Sequence, residues 1–339
     1  MRAAVLQAPR RVEVMEVATP ESAGEVSIRI EATGICGSDL HAVHGRHPFR
    51  HPPVILGHEG AGTVVRVPSA DCPVRPGDRV AIMPSVSCWR CRRCEAGQPQ
   101  LCPHKRVPGK GWTGLLAEYT TAPARVLYPL ADAIGMAEGA MIEPAAVAWR
   151  ATRGAGIVPG RSVAVLGAGA IGALIAKVCQ LHGAGPLMIS DVKDYNLAFA
   201  RGLGATAVVN AAREDVVAAG TAVSGDDGFD AVIVASGHAS CLDEALSLCR
   251  PGGTVVVLPM FGGALAADFN RLVLKEIRLQ GSTTYTPGDF RAAAELVNTR
   301  RLDVRPFVTQ VAPLSQVPDI FASIEDGLEY MKIQFDPSR

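Results

Sequence analysis

Aromatic side chains and long apolar runs are both scarce in this chain. Phe, Trp and Tyr make up only 5% of the 339 residues. The longest stretch without a charged residue, 251–267, is interrupted by glycines and prolines, so it cannot form a membrane-spanning helix. The N-terminus, MRAAVLQAPRRVEVMEV, has no apolar core and no cleavage site of a secretory signal. We therefore expect a soluble, cytoplasmic protein without a membrane partner.

An excess charge of either sign is absent as well. Lys and Arg total 33, Asp and Glu also total 33, and the formal net charge is zero. This balance argues against a nucleic-acid partner, which usually requires a basic surface. Apolar residues make up 48% of the chain, and its length is sufficient for two domains, each with its own core. The composition is therefore typical of a globular enzyme.

The pattern of the chain changes near Glu143. The preceding residues contain short β-branched runs separated by Pro and Gly, which predict a β-rich domain. Beyond Glu143, short apolar segments such as Val163–Leu166 alternate with helical patterns such as Ile171–His182. This alternation predicts a parallel sheet covered by helices, and hence the α/β class. A helix near Phe290–Thr299 and a mixed tail complete the chain.

A glycine turn joins the first predicted strand of the α/β part to its first helix. The segment SVAVLGAGAIG contains Gly167, Gly169 and Gly172 in the spacing of a dinucleotide-binding turn. The first glycine permits the tight turn, the second lets a pyrophosphate approach the backbone, and the third lets the helix pack on the strand. The alternative is that these glycines serve packing alone, but the strand–turn–helix context favours a nucleotide site.

An acidic residue ends the next strand. Asp191 follows Gly172 by 19 residues, where a carboxylate can accept hydrogen bonds from an adenosine ribose. The same charge, together with Asp194, would repel a 2′-phosphate, so NAD is favoured over NADP. Lys193 could instead pair with a phosphate, and Asp191 could simply cap a helix.

Four of the nine cysteines are crowded into fifteen residues. Cys88, Cys91, Cys94 and Cys102 form the pattern CxxCxxCx7C. Four thiolates at this spacing can enclose one zinc ion without leaving an open coordination position, which is typical of a structural site. A buried apolar cysteine cluster is the alternative, and the many surrounding basic residues argue against it.

Potential ligands of a second metal are spread over three segments. Cys36 lies in GICGSDLH, His58 and Glu59 in GHEG, and Glu143 in IEP. One Cys, one His and a carboxylate suit a catalytic zinc with an open position. Each residue taken alone could equally be a core or helix-start residue, and spacing cannot prove that they converge. The intervening loop residues are expected to face solvent; they are His44, Arg46, His47, Arg50 and His51.

In combination, these motifs resemble the zinc-dependent medium-chain alcohol dehydrogenase family. GICGSDLH, GHEGAG, the four-cysteine pattern, EPAAVA and VLGAGAIG occur in the family's order and span essentially the whole chain. Glu143, in place of a cysteine, resembles the sorbitol, polyol and butanediol dehydrogenase branch. The resemblance implies a GroES-like catalytic domain at 1–144 and 285–339, with a Rossmann domain at 145–284 inserted in it.

The resemblance also assigns residue roles. It implies two zinc ions per chain and NAD as the cofactor. It implies a proton relay through Ser38 and His41, and leaves open whether Glu59 or Glu143 completes the catalytic zinc site. Asn196 departs from the arginine that many relatives carry. The full set of implied site residues is Cys36, His58, Glu59 and Glu143 at the catalytic zinc, Asp39 behind the histidine, Cys88, Cys91, Cys94 and Cys102 at the structural zinc, Ser38 and His41 in the relay, and Gly167, Gly169, Ile171, Gly172, Asp191 and Leu258 at the cofactor.

The implied reaction is reversible hydride transfer from a secondary alcohol, polyol or cyclitol to NAD. A sugar-phosphate or L-threonine dehydrogenase on the same scaffold is the first alternative, for which Arg46 or Arg50 could bind the anion. A non-catalytic dinucleotide-binding protein is an alternative of another class. Relatives form homodimers or homotetramers; the apolar segment Phe261–Phe269 is a candidate for the contact, and it could equally be buried within the monomer.

Overall fold

A computed structural model describes residues 1–21 and 24–339 of the chain. The chain divides into two compact units. The first unit contains Met1–Glu143 and Thr286–Arg339, and the second contains Pro144–Tyr285. The second unit is therefore inserted into the sequence of the first. Within the described ranges, no helix combines the length and the apolar character that crossing a membrane requires.

The N-terminal part of the first unit is built mainly of strands joined by long loops. Its strands are β1 (Arg2–Ala8), β2 (Arg11–Glu16), β3 (Val26–Gly34), β4 (Val54–Ile55), β5 (Glu59–Arg66), β6 (Arg79–Ile82), β7 (Val107–Pro108), β8 (Gly111–Trp112), β9 (Tyr119–Ala122) and β10 (Leu127–Pro129). Its helices are α1 (Gly37–Val43), α2 (Arg92–Glu95) and α3 (Met136–Ala140).

The second unit alternates strands with helices. Helix α4 (Ile142–Gly154) leads into it. The strands that follow are β11 (Val163–Leu166), β12 (Leu187–Asp191), β13 (Ala207–Asn210), β14 (Phe229–Val234), β15 (Cys249–Val257) and β16 (Arg278–Gly281). The helices between them are α5 (Ala170–Leu181), α6 (Asp194–Gly202), α7 (Val216–Ser224), α8 (Ser240–Leu248) and α9 (Phe269–Leu274).

The remaining elements return the chain to the first unit. They are α10 (Pro287–Asn298), β17 (Val308–Pro313), α11 (Val317–Glu325) and β18 (Lys332–Asp336). Helix α10 begins with a reciprocal cap, in which Thr286 accepts from the Asp289 N–H and Asp289 accepts from the Thr286 N–H. The mixed tail expected from the sequence therefore contains a regular helix and two strands.

The main sheet of the first unit has the strand order β10-β6-β5-β3-β18-β17, and β9 also pairs with β3. Strands β3 and β5 are antiparallel, with Gly34 opposite Glu59. Strand β18 runs antiparallel to β3, with Gln334 opposite Gly34. This register places the ends of three strands from distant parts of the sequence side by side. Buried apolar side chains such as Leu56 and Phe335 pack nearby in one core.

The sheet of the second unit has the order β13-β12-β11-β14-β15-β16, and every pairing in it is parallel. The four residues of β11 are all buried, as expected for a strand covered on both faces. The order reverses at β11, because the chain moves out to β13 and then returns to β14. The α/β class with a doubly wound parallel sheet is confirmed.

Helix α7 was not predicted from the sequence. Its residues, VVAAGTAVS, include three valines and a glycine, which weaken the helical pattern. Asp215 precedes it and accepts hydrogen bonds from the backbone N–H groups of Val217 and Ala218. This N-cap is the local signal that could have identified the helix.

Candidate metal centres and dinucleotide site

The register of β3 and β5 brings together residues that are 22 positions or more apart in the sequence. Cys36 follows the end of β3 as the N-cap of α1, and Glu59 begins β5 directly after His58. The ligand atoms of Cys36, His58 and Glu59 all lie within 4.8 Å of one another. His58 and Glu59 are buried, and Cys36 is half-buried. The three side chains form a compact, partly accessible cluster.

Glu59 has one oxygen paired and one oxygen without a partner. Its Oε1 accepts a hydrogen bond from Lys332 Nζ at 2.7 Å. Its Oε2 is buried and has no hydrogen-bond partner among the described residues. A side chain at position 34 would collide with this oxygen, so Gly34 makes room for it. An unpartnered buried carboxylate oxygen beside a thiol and an imidazole fits a zinc ion, which the three residues could hold.

Lys332 is a buried cation that the sequence analysis missed. Its Nζ also donates to the Ile35 carbonyl oxygen at 3.0 Å. Burial alone would lower the pKa of Lys332, but the charges of Glu59, Cys36 and Glu143 outweigh it and raise the pKa. The signal in the sequence was weak, because a lysine between Met331 and Ile333 in a short tail could face either side of a strand.

Glu143 lies in the first turn of α4 and is 7% exposed. Its charge acts on Lys332, so it is near the cluster. Within the part of the chain that the structure describes, however, Glu143 is not in the group of ligand atoms formed by Cys36, His58 and Glu59. The sequence left the two glutamates unranked, and it is Glu59 whose carboxylate adjoins Cys36 and His58.

Asp39 stands behind the histidine. Its Oδ2 accepts from the Cys36 N–H at 3.0 Å and lies 3.4 Å from His58 Nδ1. Burial alone would raise the pKa of Asp39, but His58 and Arg50 outweigh it and hold the pKa well below its usual range. An ionised carboxylate in this position can fix the tautomer and orientation of a metal-binding histidine.

In the loop after α1, Arg46 and His51 are exposed as expected, whereas His47 and Arg50 contradict the expectation that they face solvent. His47 and Arg50 are 5% and 6% exposed. The Arg50 guanidinium donates to both Ser38 and Asp39, so its charge is compensated. Burial and the charge of Arg50 lower the pKa of His47 to about 4, which keeps this imidazole neutral. The expectation failed because polarity alone does not reveal a buried partner, here Asp39.

Ser38 and His41 lie three positions apart on α1, and both are half-buried. Residues at this spacing share one side of a helix. The Ser38 Oγ is 3.1 Å from Arg50 Nη1, which donates to it.

The four cysteines of the other motif converge as well. All four Sγ atoms lie within 4.8 Å of one another, and all four thiols are free of disulfides. Three of the separations are 3.4, 3.6 and 3.8 Å. A tetrahedral zinc with Zn–S bonds of about 2.3 Å requires sulfur–sulfur separations of about 3.8 Å. The set therefore fits one closed zinc site, formed by Cys88, Cys91, Cys94 and Cys102.

The glycine turn of the second unit fits a nucleotide. Gly167 has a φ of +106°, and a side chain at Gly172 would collide with the Gly167 carbonyl oxygen. These two glycines are required by the fold itself. Gly169 is different, because a Cβ there would meet no atom within 4 Å. The surface at Gly169 is thus open at the N-terminus of α5, where backbone N–H groups can receive a phosphate.

Asp191, at the end of β12, is held in place by the turn. Its Oδ2 accepts from the Ala168 N–H at 2.7 Å and from Asn196 Nδ2 at 3.1 Å, and its Oδ1 accepts from the Lys193 N–H at 2.9 Å. Asp194 forms an ion pair with Arg213. The negative charge of Asp194 is therefore compensated, and Asp191 is the carboxylate presented at the end of the strand.

The other two residues expected to bind the cofactor also lie at the carboxyl edge of the sheet. Leu258 follows β15 and donates its N–H to the Val234 carbonyl oxygen at 3.1 Å, whereas Ile171 is in the first turn of α5. Both side chains are half-buried. In open parallel sheets, ligands bind at this edge, near the point where the strand order reverses.

Comparisons with known proteins agree with these features. Residues 22–132 match the alcohol dehydrogenase GroES-like domain, and residues 170–299 match the zinc-binding dehydrogenase family. A protein of Aspergillus clavatus named probable D-xylulose reductase A is 35% identical over 311 residues, which cover 89% of this chain and 87% of that protein. The uncharacterized zinc-type alcohol dehydrogenase-like protein YdjJ of Escherichia coli strain K12 is 35% identical over 94% of this chain and 93% of its own length.

A solved structure extends the similarity to the whole fold. A protein of Sinorhizobium meliloti 1021, assigned as a zinc-binding dehydrogenase and crystallised with NADP, has a TM-score of 0.92 at 32% identity, and 99% of each chain is covered. The family expected from the motifs and the GroES-like domain are both confirmed. The chain belongs to the zinc-dependent medium-chain alcohol dehydrogenase family.

Proposed function

We propose that this protein is a zinc- and NAD-dependent dehydrogenase that oxidises a secondary hydroxyl of a polyol or cyclitol, and that reduces the ketone in the reverse direction. The observation that carries the proposal is the cluster of Cys36, His58 and Glu59, with its unpartnered carboxylate oxygen. The relative named D-xylulose reductase supports a polyol as the substrate. Catalysis is assigned to a GroES-like domain with proposed limits of 1–144 and 285–339, and nucleotide binding to a Rossmann domain at 145–284; each limit lies within one residue of the boundary between the two units.

Two zinc ions are proposed for each chain. Cys36, His58 and Glu59 would hold the catalytic ion, with Glu143 close enough to take part. The four-cysteine set would hold a structural ion, because four thiolates leave no position open for a substrate. A bound zinc supplies Lewis acidity, which lowers the pKa of a hydroxyl held beside it.

Residues around the cluster of Cys36, His58 and Glu59 would transfer the proton that the substrate hydroxyl releases. Ser38 would accept the hydroxyl proton of the substrate and pass its own proton toward His41 or water. Asp39 keeps His58 oriented through the 3.4 Å contact with Nδ1. A bound nicotinamide would supply the redox chemistry by accepting the hydride.

NAD is the proposed cofactor. Gly167, Gly169 and Gly172 form a turn whose open surface suits a pyrophosphate, with Ile171 and Leu258 beside it. Asp191 would accept hydrogen bonds from the ribose and repel a 2′-phosphate. Because Asp194 is paired with Arg213, Asp191 would carry the larger part of this selectivity. A relative has been crystallised with NADP. Measuring whether this protein prefers NAD or NADP therefore tests the role assigned to Asp191 directly.

A phosphorylated substrate is less well supported. Arg50, one of the two loop arginines that could bind an anion, is buried and committed to Ser38 and Asp39. A substrate phosphate could not replace these partners without removing the guanidinium from the buried Asp39 carboxylate.

A homo-oligomer is proposed through the end of the parallel sheet. Strand β16 is the last in the strand order, and all four of its residues are exposed. Val273 and Leu274 of the adjacent helix α9 are 68% and 83% exposed. An open strand edge beside exposed apolar side chains suits a second copy of this chain, which could extend the sheet.

A substrate panel tests the proposed activity. Zinc-supplied protein would be mixed with NAD or NADP and with polyols, cyclitols, diols, L-threonine or sugar phosphates, and the reduced cofactor followed by its absorbance. NAD-dependent oxidation of one polyol class, lost with a chelator and restored by zinc, is the expected result. Bound zinc and bound NADH without turnover of any alcohol would overturn it.

A further inference from the structure

Arg50 is a buried cation with three separate anchors. Its Nη1 donates to Asp39 Oδ1 at 3.0 Å and to Ser38 Oγ at 3.1 Å, and its Nε donates to the Pro108 carbonyl oxygen at 3.2 Å. The two hydrogens of one guanidinium nitrogen therefore serve two neighbouring residues of α1. Arginine is almost never buried unless it is paired, so this arrangement is specific.

The loop of Arg50 itself and the segment at Pro108 and Gly109 surround this arginine. The backbone N–H groups of Phe49 and Arg50 both donate to His47 Nδ1, which fixes the turn of the loop. Gly109 has a φ of +86°, and a Cβ there would lie 2.6 Å from Arg50 Cγ. The guanidinium thus has little freedom to leave Ser38 and Asp39.

The hydrogen bond from Arg50 adds a charged donor to the Asp39 carboxylate. Oδ1 accepts from Arg50 and from the Gly57 N–H at 3.3 Å, while Oδ2 accepts from the Cys36 N–H and faces His58. With donors on both oxygens, the plane of the carboxylate is fixed. Arg50 thereby helps to hold His58 in one orientation.

The contact with Ser38 sets the direction of its hydroxyl. A serine oxygen accepts two hydrogen bonds and donates one. Arg50 occupies one acceptor position and cannot itself accept a hydrogen. The Ser38 hydrogen must therefore point elsewhere, and one lone pair remains for an incoming proton.

We propose that Arg50 is a positioning residue that makes proton transfer through Ser38 directional and, through Asp39, steadies His58. The inference rests on the proposed dehydrogenase function. As the substrate O–H bond breaks, its proton bonds to Ser38 Oγ, and the original Ser38 proton leaves for His41 or water, so the serine ends neutral. The guanidinium stays protonated throughout and orients the transfer without exchanging a proton.

The test compares Arg50→Met, Arg50→Lys and, as a control, Arg11→Met, which removes an exposed arginine paired with Glu13. Arg50→Met is expected to lower kcat about 10- to 100-fold and to move the acidic limb of the kcat/KM pH profile upward by about one unit. Arg50→Lys keeps a buried positive donor and should recover most of both effects. Wild-type kcat and pH profile in Arg50→Met would overturn the proposal.

A double-mutant cycle separates positioning from general damage. In a Ser38→Ala background, Arg50→Met should shift the pH profile less than it does in wild type, because the route through Ser38 is gone and only the route through Asp39 remains. An equal shift in both backgrounds would overturn the assignment. If Arg50→Met does not fold, Arg50→Lys in the same cycle gives the same comparison.

Zinc retention provides a readout that does not need turnover. Because Arg50 holds Asp39 and Asp39 orients His58, Arg50→Met is expected to lose one zinc to a chelator about 10- to 100-fold faster than wild type. Arg11→Met should lose zinc at the wild-type rate. An unchanged rate in Arg50→Met would overturn the contribution through His58. If wild type itself turns over no alcohol, the proposed function fails, whereas the chelator experiment still decides the role of Arg50.

Discussion

Lys332 Nζ lies 2.7 Å from Glu59 Oε1, and the two side chains are only 4% and 1% exposed. The pair joins the beginning of β5 to the beginning of β18, 273 positions apart. A buried charge that loses its partner is strongly destabilising, usually more so than the loss of the whole pair.

In the zinc-free protein, replacing Lys332 by Met should therefore destabilise the fold by about 3–5 kcal/mol, because Glu59 is left buried without a counter-charge. Urea denaturation would measure this loss. The double variant Lys332→Met/Glu59→Gln should recover much of it, since a neutral amide replaces the carboxylate. A double variant less stable than Lys332→Met alone would contradict this explanation.

Loss of a cysteine ligand should have different effects at the two proposed zinc sites. Cys36→Ser is expected to abolish turnover and reduce the zinc content by one ion, while the fold is retained. Cys88→Ser should also lose one zinc, but with a lower melting temperature, because a closed site contributes directly to folding. Cys72→Ser, at a half-buried cysteine outside both clusters, serves as the control. Near wild-type turnover of Cys36→Ser with full zinc content would disprove the catalytic assignment.

Asp191→Asn should weaken NADH binding and improve binding of NADPH relative to NADH. A hydrogen bond to a charged group contributes about 1.5–3 kcal/mol, so a loss of about 10- to 100-fold in NADH affinity is expected. Titration of the two reduced cofactors by fluorescence measures both effects. Asp194→Asn is the comparison, since its charge is already paired with Arg213. An unchanged preference in Asp191→Asn would remove Asp191 from the ribose site.

His47 should make the protein sensitive to mild acid. Its pKa in the folded protein is lowered to about 4 by burial and by Arg50, although Asp39 acts in the opposite direction. In the unfolded chain a histidine titrates near its ordinary value of about 6.5. The unfolded state therefore binds the proton first, and stability falls as the pH drops from about 6.5 toward 4.

His47→Asn keeps an acceptor for the Arg50 N–H but cannot be protonated in this range. Urea denaturation at about pH 7 and about pH 5 should show a smaller loss of stability for the variant than for wild type. Equal losses in the two proteins would mean that His47 titrates normally in the folded state.

The proposed oligomer should depend on helix α9. Leu274→Glu places a charge where the side chain is now 83% exposed, so the monomer itself should be unaffected. If a second copy covers this surface, the variant should dissociate at concentrations where wild type remains associated. Light scattering after size-exclusion chromatography measures the mass directly. Thr221→Glu, on the exposed side of α7, is the control, and an undisturbed oligomer in Leu274→Glu would exclude α9 from the contact.

The features that the sequence predicted best depend on local spacing. The four cysteines and the glycine turn each lie within fifteen residues, so chain geometry alone restricts where their side chains can meet. The alternation of strands and helices likewise indicated a parallel sheet. Helix α7 was not predicted, because its valines and glycine obscure the helical pattern, although Asp215 caps it.

The features that the sequence could not predict depend on contacts between residues that are far apart in the chain. Arg50 and His47 looked like solvated loop residues, and only the folded chain shows that Asp39 and Pro108 surround the arginine. Glu59 could not be ranked above Glu143, because the ranking follows from the register of β3 with β5. Lys332 belongs to the tail, where no local pattern indicates a buried charge.

The position of β18 also bears on the order of events during synthesis. Strand β18 lies between β3 and β17, yet it is translated after the entire second unit. While the ribosome is still making residues 144–285, β3 has no neighbour on that side and Glu59 has no cation beside it. The second unit can complete its sheet from contiguous sequence, whereas the first must wait for the last residues to emerge. A growing chain thus carries a finished nucleotide-binding unit and an open metal-binding unit at the same time.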